Sequence, residues 1–170
     1  WFSKGSIVNA YNTYKRQELS QILFVAFGDK YSQKLEDITK SSSPLILASW
    51  GPGDEIRYSR LYDALIRLNA SITISCEPRL YELLSQRFPK AKFIKVNRNR
   101  IVSDSDLDKY NQLPHKFLHR IMDNYLFSEI EKYDKITILT DISSELIEDF
   151  VHSNQYDAVK LPCSKVHTDL

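Results

Sequence analysis

The sequence predicts an α/β protein with a Rossmann-like parallel sheet and helices on both faces of that sheet. Short apolar runs of β type alternate with segments whose apolar residues recur at helical spacing. The first of these runs stops at the turn Gly51-Pro52-Gly53, and an acidic pair then opens a helical segment. With 170 residues, the chain can bury a core as one domain without disulfides.

The predicted elements follow in chain order from this alternation. Strands are predicted at 45–50, 71–76, 92–96, 136–140 and 156–161. Helices are predicted between and after them at 54–69, 78–89, 114–132 and 143–152. Because each strand is followed by a helix long enough to cross over, the strands are expected to pair in parallel.

Two regions are predicted along the chain. Residues 1–40 show apolar side chains at helical spacing and need no strand, which indicates a short helical segment in front of the sheet. The turn-forming linker Ser41-Ser42-Ser43-Pro44 follows. Residues 45–170 then form the Rossmann-like domain.

Composition excludes several classes of protein. The formal net charge of +1 lacks the excess of positive charge that is typical of nucleic-acid-binding domains. No apolar run approaches the ~20 residues that a membrane-spanning helix needs, although peripheral membrane contact stays compatible with the sequence. Cys76 and Cys163 are interpreted as reduced, buried side chains of a cytoplasmic protein, since two cysteines make no disulfide framework.

The glycine turn is the first candidate site. A strand that passes into a helix through glycines is the usual place for an α/β domain to bind a ligand. Asp54 lies in the first turn of the following helix, where the helix dipole favours the ionised carboxylate. An exposed, ionised acid at the mouth of a crevice suits a general base. The structural alternative is that Asp54 caps its helix.

A nucleotide site is the competing interpretation of the same turn. Gly51 and Gly53 fit the first two positions of G-x-G-x-x-G, but Ile56 takes the third. Glu77 ends the second predicted strand, where an acid often binds a ribose. A methyltransferase-like domain that binds S-adenosylmethionine therefore stays an alternative, and a structural position ahead of Pro78 is the plain interpretation of Glu77. No G-K-[ST] follows the glycines, which excludes a P-loop.

Three motifs in order carry a family resemblance. Residues 51–57 (Gly-Pro-Gly-Asp-Glu-Ile-Arg) resemble the G-x-G-D-E-[IL] motif of bacterial glycosyltransferases of the heptosyltransferase type. Residues 76–80 (Cys-Glu-Pro-Arg-Leu) and 83–89 (Leu-Leu-Ser-Gln-Arg-Phe-Pro) are similar to the next two segments of the branch associated with tetratricopeptide repeats. The resemblance covers about residues 45–96, and 156–164 faintly resembles a later segment.

The resemblance implies the N-terminal, acceptor-side half of a GT-B glycosyltransferase. In such enzymes two Rossmann-like halves face each other across a cleft, and the C-terminal half holds most of the nucleotide-sugar donor. The acceptor would be a glycan, a lipid-linked sugar or a protein. No cofactor or metal is implied, and this half alone is expected to be inactive.

The resemblance also implies roles for individual residues. Asp54 aligns with the presumed general base that deprotonates the acceptor hydroxyl for an inverting transfer. Gly51 and Gly53 would let the loop approach the substrates, and Pro52 would stiffen it where the family commonly has an aliphatic residue.

The neighbouring charges are assigned as substrate-binding residues with open alternatives. Glu55 would orient Asp54 or bind acceptor hydroxyls, or else is a solvated first-turn acid. Arg57 and Arg60 share a helix face with Asp54 and would hold an anionic acceptor or the leaving diphosphate. The alternative is a surface ion pair with Asp54, which is worth little energy.

Two further clusters are interpreted as structural. His115 and His119 have ligand spacing, but no nearby residues complete a metal site. A basic run is interpreted as a solvated strand edge, with a groove for a charged glycan or phosphate as the alternative. This run comprises Lys90, Lys92, Lys95, Arg98 and Arg100. A non-catalytic interaction domain that keeps the fold is the last alternative for the whole chain.

Overall fold

A computed structural model of the chain describes residues 17–48, 51–99, 113 and 115–152. At its centre is a four-stranded, fully parallel sheet with the strand order β3-β2-β1-β4. The strands are β1 (Pro44–Leu47), β2 (Thr73–Cys76), β3 (Lys92–Lys95) and β4 (Lys135–Ile138). The predicted α/β, Rossmann-like fold is confirmed, and the predicted strand at 156–161 lies outside the described residues.

Helices connect and cover these strands. The described α-helices are α1 (Gln17–Phe27), α2 (Leu35–Lys40), α3 (Pro52–Tyr58), α4 (Tyr62–Leu68), α5 (Tyr81–Arg87), α6 (Asn124–Ser128) and α7 (Leu139–His152). Short 3₁₀ segments lie at Gly28–Lys30, Ser59–Leu61, Pro78–Leu80, Leu118–Arg120 and Ile130–Lys132. The helix predicted at 54–69 is therefore two α-helices joined by a 3₁₀ turn.

Both faces of the sheet are covered, because successive side chains of a strand point to opposite faces. In β1, Ile46 packs into a first core with α2, α3, α4, α5 and α7. Leu45 and Leu47 pack into a second core with α1, α6 and the neighbouring 3₁₀ segments. All four residues of β1 are buried, as expected for a central parallel strand with helices on both sides.

The segment that precedes β1 belongs to both cores. Leu23 of α1 lies in the second core and Ile38 of α2 in the first, and neither side chain is exposed. Between these helices Tyr31 forms a parallel bridge with Ile136, and the Ser32 N–H donates to the Ile136 carbonyl at 2.9 Å. Residues 31 and 32 thus extend the sheet beyond β4.

The predicted long helix over 114–132 is wrong. This region forms two 3₁₀ turns and the short helix α6 between them. Asp123 caps α6, since its Oδ1 accepts from the Leu126 N–H at 2.9 Å, and its Oδ2 accepts from the Asn97 N–H at 2.8 Å. An N-cap starts a new helix and interrupts the one before it. The apolar residues of this region still pack into the second core. The helical periodicity therefore predicted correctly which side chains are buried, but it did not predict that the helix is interrupted.

Cys76 is a buried, free thiol at the end of β2. Burial raises the pKa of its thiol to about 12, which keeps it protonated and unreactive. Cys163 lies outside the described residues. Within the described ranges, no helix has the length and apolar character to cross a membrane.

Asp134 closes the turn that leads into β1. Its carboxylate accepts from the backbone N–H groups of Ser42 at 2.9 Å and Ser43 at 3.0 Å. It also accepts from the hydroxyls of Ser41, Ser42 and Ser43. Partial burial opposes ionisation, but these hydrogen bonds outweigh it and hold the pKa of Asp134 well below its usual value.

This lowered pKa predicts an acid-sensitive contribution to stability. A carboxyl group with a depressed native pKa stabilises the fold above its unfolded pKa of about 3.9, and that contribution is lost as pH falls through the native pKa. Asp134→Asn should therefore be less stable than the wild type at neutral pH, and the difference should shrink below about pH 4. Urea denaturation across this pH range measures it. The exposed Glu82→Gln variant is the control, and equal pH slopes for Asp134→Asn and the wild type would contradict the assignment.

Candidate functional site

The carboxyl ends of three neighbouring strands form the candidate site. In open parallel sheets, ligands bind outside the carboxyl ends of the strands. The connection after β1 leads through Gly51 into the first turn of α3, which carries Asp54. The loop after β2 begins at Glu77, and the segment after β3 carries Arg98. Because the strand order is β3-β2-β1, these three loops lie side by side.

The turn after β1 exposes Asp54. Gly51 is the N-cap residue of α3 in an extended conformation, and its carbonyl accepts from the Glu55 N–H at 2.9 Å. No side chain caps this helix, so the interpretation of Asp54 as a capping residue is wrong. Asp54 is exposed in the first turn of α3, and its side chain has no hydrogen bond or ion pair within the described residues.

Neither glycine of the turn is required by the packing of the described residues. A Cβ atom built on Gly51 or Gly53 meets no atom within 4 Å, and neither residue has a positive φ. A side chain would therefore fit at both positions.

Glu55 follows Asp54 in α3, and in contrast to Asp54 it is fully buried. Its two carboxylate oxygens accept from the Glu77 N–H at 3.1 and 3.2 Å. Its Oε2 is 2.8 Å from Nη2 of Arg98, whose side chain is only 7% exposed. Glu55 is therefore not a solvated first-turn acid. It joins the loops that follow β1, β2 and β3.

The surroundings of this ion pair are poorly hydrated. Burial raises the pKa of Glu55, while Arg98 and the Glu77 N–H act in the opposite direction. Burial and the nearby Glu55 carboxylate also raise the pKa of the buried Tyr62 hydroxyl. In such surroundings a charge that loses its partner is strongly destabilising.

The two predicted arginines lie further along the same helical segment. The Arg57 guanidinium carbon is 5.9 Å from the centre of the Tyr58 ring. Arg60 donates from Nε to the Arg57 carbonyl at 3.0 Å. Neither arginine forms an ion pair with Asp54, so the surface-pair alternative is wrong.

Glu77 occupies the position predicted for a ribose-binding acid. Its Oε1 accepts from Nε of Arg79 at 2.7 Å, and its side chain is 14% exposed. Its Oε2 is buried and has no hydrogen-bond partner among the described residues. Glu77 therefore keeps an acceptor at the carboxyl end of β2.

Sequence reasoning missed the role of Arg98. It grouped this residue with the neighbouring lysines, and Lys90, Lys92 and Lys95 are indeed exposed at or near the edge strand β3. Arg98 differs because it follows the strand and turns inward to Glu55. The sequence does place an acidic residue after β1 and an arginine after β3. In a parallel sheet both positions lie at the carboxyl edge, so a contact between them could have been predicted.

The described residues contain no group of three histidine, cysteine or acidic side chains placed to hold a metal ion. His119 is buried, and burial lowers the pKa of its imidazole. The Nδ1 atom of His115 accepts from the Phe117 N–H at 3.2 Å. The hydrogen-bonding capacity at the site thus comes from carboxylates and guanidinium groups.

Comparisons with known proteins give no identification. No protein-family model, curated protein or solved structure matches the chain. The geometry above and the three short motifs therefore carry the functional argument.

The buried ion pair predicts that removal of its cation alone destabilises the fold more than removal of both partners. Arg98→Met should lower the free energy of unfolding by about 3–5 kcal/mol, because it leaves the Glu55 carboxylate buried without its cation. The double variant Glu55→Met/Arg98→Met should recover much of that loss. Urea denaturation measures both.

Asp54→Asn is the matched control, since this neighbouring acid is exposed and its stability should change by no more than about 0.5 kcal/mol. A small effect of Arg98→Met, similar to that of Asp54→Asn, would show that the pair does not hold the site together.

Proposed function

We propose that this chain is the acceptor-side domain of an inverting, metal-independent glycosyltransferase, with Asp54 as its general base. The observation that carries the proposal is the exposed Asp54 carboxylate at the carboxyl edge of the sheet, which has no ion-pair partner among the described residues. The next residue of its helix is fixed by a buried ion pair. The sequence resemblance at 51–57, 76–80 and 83–89 supports the same reaction. A nucleotide sugar held mainly by a second Rossmann-like half would be the donor.

In the proposed reaction, Asp54 only has to accept one proton. Asp54 accepts the proton of an acceptor hydroxyl as the oxygen attacks the anomeric carbon from the side opposite the leaving nucleotide diphosphate. The new bond joins the acceptor oxygen to the anomeric carbon, and the bond to the diphosphate breaks. The configuration at that carbon is inverted. Gly51 and Gly53 are compatible with this proposal, because a Cβ atom built on either residue meets no atom within 4 Å.

Two arginines would supply positive charge to the proposed site. Arg57 and Arg60 follow Asp54 on the helical segment, and both side chains are half-buried. In the proposed enzyme they hold an anionic acceptor group or the leaving diphosphate. Guanidinium groups suit this role, since they bind phosphate oxygens with two parallel hydrogen bonds.

Asp54→Asn tests the proposal in an enzyme form that contains this domain together with the proposed donor-binding half. Loss of a general base should lower kcat by about 10²–10⁴-fold, with the circular dichroism spectrum and melting temperature unchanged. Release of nucleotide diphosphate in the presence of acceptor is the assay.

Asp63→Asn is the control because it removes an acid from the following helix, where Asp63 makes only a long contact of 3.8 Å to Arg87. Turnover that survives Asp54→Asn would remove Asp54 as the base. Equal losses in both variants would point to an effect of surface charge.

A second candidate function rests on the buried, unpartnered oxygen of Glu77. An acid at the end of the second strand accepts from ribose hydroxyls in nucleotide-binding Rossmann domains. A domain that binds S-adenosylmethionine would use Glu77 in this way. The proton acceptor Asp54 would then have no assigned role.

Calorimetric titration of the chain with S-adenosylmethionine separates the two functions. The methyltransferase-like alternative expects binding that Glu77→Ala abolishes and that the exposed control Glu82→Ala leaves intact. The glycosyltransferase proposal expects no binding of this compound by either form.

A further inference from the structure

A basic side chain that the proposed transfer does not use lies at the carboxyl edge of the sheet. Arg79 belongs to the 3₁₀ turn Pro78–Leu80, which follows Glu77 at the end of β2. Its side chain is 76% exposed. The structure thus places an exposed cation at the edge where open parallel sheets bind their ligands.

One side of the Arg79 guanidinium is held in place. Its Nε donates to Oε1 of Glu77 at 2.7 Å, and the Glu77 side chain is only 14% exposed. Exposed ion pairs usually contribute little to stability, because two mobile side chains must be ordered together. This pair differs because the acid is mostly buried. The contact therefore orients the exposed member, Arg79.

The acid that holds Arg79 is itself fixed through its backbone. The Glu77 N–H donates to both carboxylate oxygens of the buried Glu55, at 3.1 and 3.2 Å. The Glu77 carbonyl accepts from the Leu80 N–H at 2.9 Å. Direct contacts therefore connect Arg79, through Glu77, to the residue that follows Asp54.

The other side of the guanidinium is open. An arginine side chain carries its N–H donors in a rigid planar fork. Within the described residues, Arg79 uses only Nε, and its two terminal nitrogens have no partner. Two N–H groups of such a fork match two oxygens of one phosphate group. A guanidinium that is already oriented also loses less conformational freedom when it binds.

We propose that Arg79 is a phosphate-binding residue of the site at the carboxyl edge, with Glu77 as its positioning residue. The terminal nitrogens of Arg79 donate to two oxygens of one phosphate group, while Glu77 keeps the guanidinium turned toward it. The phosphate belongs to a nucleoside diphosphate or to a phosphorylated acceptor, and this choice of sources rests on the proposed function. Binding of the phosphate itself does not, because neither residue takes part in proton transfer.

Nuclear magnetic resonance titration of the chain with uridine diphosphate and with glucose 6-phosphate tests the proposal. At least one of them should shift the amide signals of residues 77–81 in a saturable way, and the tighter ligand identifies the source of the phosphate. Arg79→Gln should weaken this binding about tenfold, because it removes charge-assisted hydrogen bonds. Arg87→Gln is the matched control, since it removes the same charge from the last residue of α5, and binding should be unchanged.

Two substitutions of Glu77 separate positioning from simple charge. Glu77→Gln and Glu77→Ala both remove one negative charge, which by itself favours an anion. Glu77→Gln keeps an oxygen that accepts from Nε of Arg79, so it should bind the phosphate ligand at least as tightly as the wild type. Glu77→Ala leaves the guanidinium without its anchor and should bind about fivefold more weakly than Glu77→Gln.

The absence of saturable shifts with either phosphate would overturn the proposal, and so would equal losses in Arg79→Gln and Arg87→Gln. Equal binding by Glu77→Gln and Glu77→Ala would overturn the positioning role of Glu77. Asp54→Asn should retain the binding, so a failure of Asp54 as the base would leave this result unchanged. Amide signals outside residues 77–81 that match those of the wild type show that each variant is folded.

Discussion

The buried ion pair between Glu55 and Arg98 determines how the carboxyl edge of the sheet is built. It joins the loop after β1 to the segment after β3, and the Glu77 N–H adds the loop after β2. A buried carboxylate is tolerated only when its cation and its hydrogen-bond donors are in place. The three loops therefore satisfy one another's buried polar groups.

The same pair sets the orientation of the turn that carries the proposed base. Successive residues of an α-helix point about 100° apart, so burial of Glu55 leaves Asp54 on the exposed side. A functional side chain is most accurately positioned on a regular element that its neighbours hold. The two adjacent acidic residues therefore have different roles. Glu55 fixes the helix start, and Asp54 remains available to a ligand.

Much of this architecture could be read from the sequence, because burial follows periodicity. The four described strands lie within two residues of their predicted starts. The helix after β1 begins at Pro52, two residues earlier than predicted, so Pro52 and Gly53 belong to its first turn. The helices between β3 and β4 were harder to predict. Asp123 caps a new helix inside a stretch with continuous helical periodicity, and hydrophobic spacing alone does not report that break.

The polar contacts between distant parts of the chain could not be predicted from local sequence patterns either. Asp141 binds Ser20 and Tyr31, residues more than a hundred positions away, and only the packing of α1 and β4 brings them together. Arg98 looked like one more cation in a basic run, because its partner lies two strands away in the sheet. Local patterns identify which residues are buried, but the pairing of buried charges depends on topology.

The central claim is that Asp54 faces a substrate hydroxyl across the glycine turn. A crystal structure of the proposed enzyme soaked with a candidate acceptor tests this proposal most directly. We expect a carboxylate oxygen of Asp54 to lie about 2.6–3.2 Å from the reacting hydroxyl, with the Glu55–Arg98 pair intact beneath it. An acceptor bound elsewhere, with Asp54 facing bulk solvent or paired to an arginine, would contradict the account.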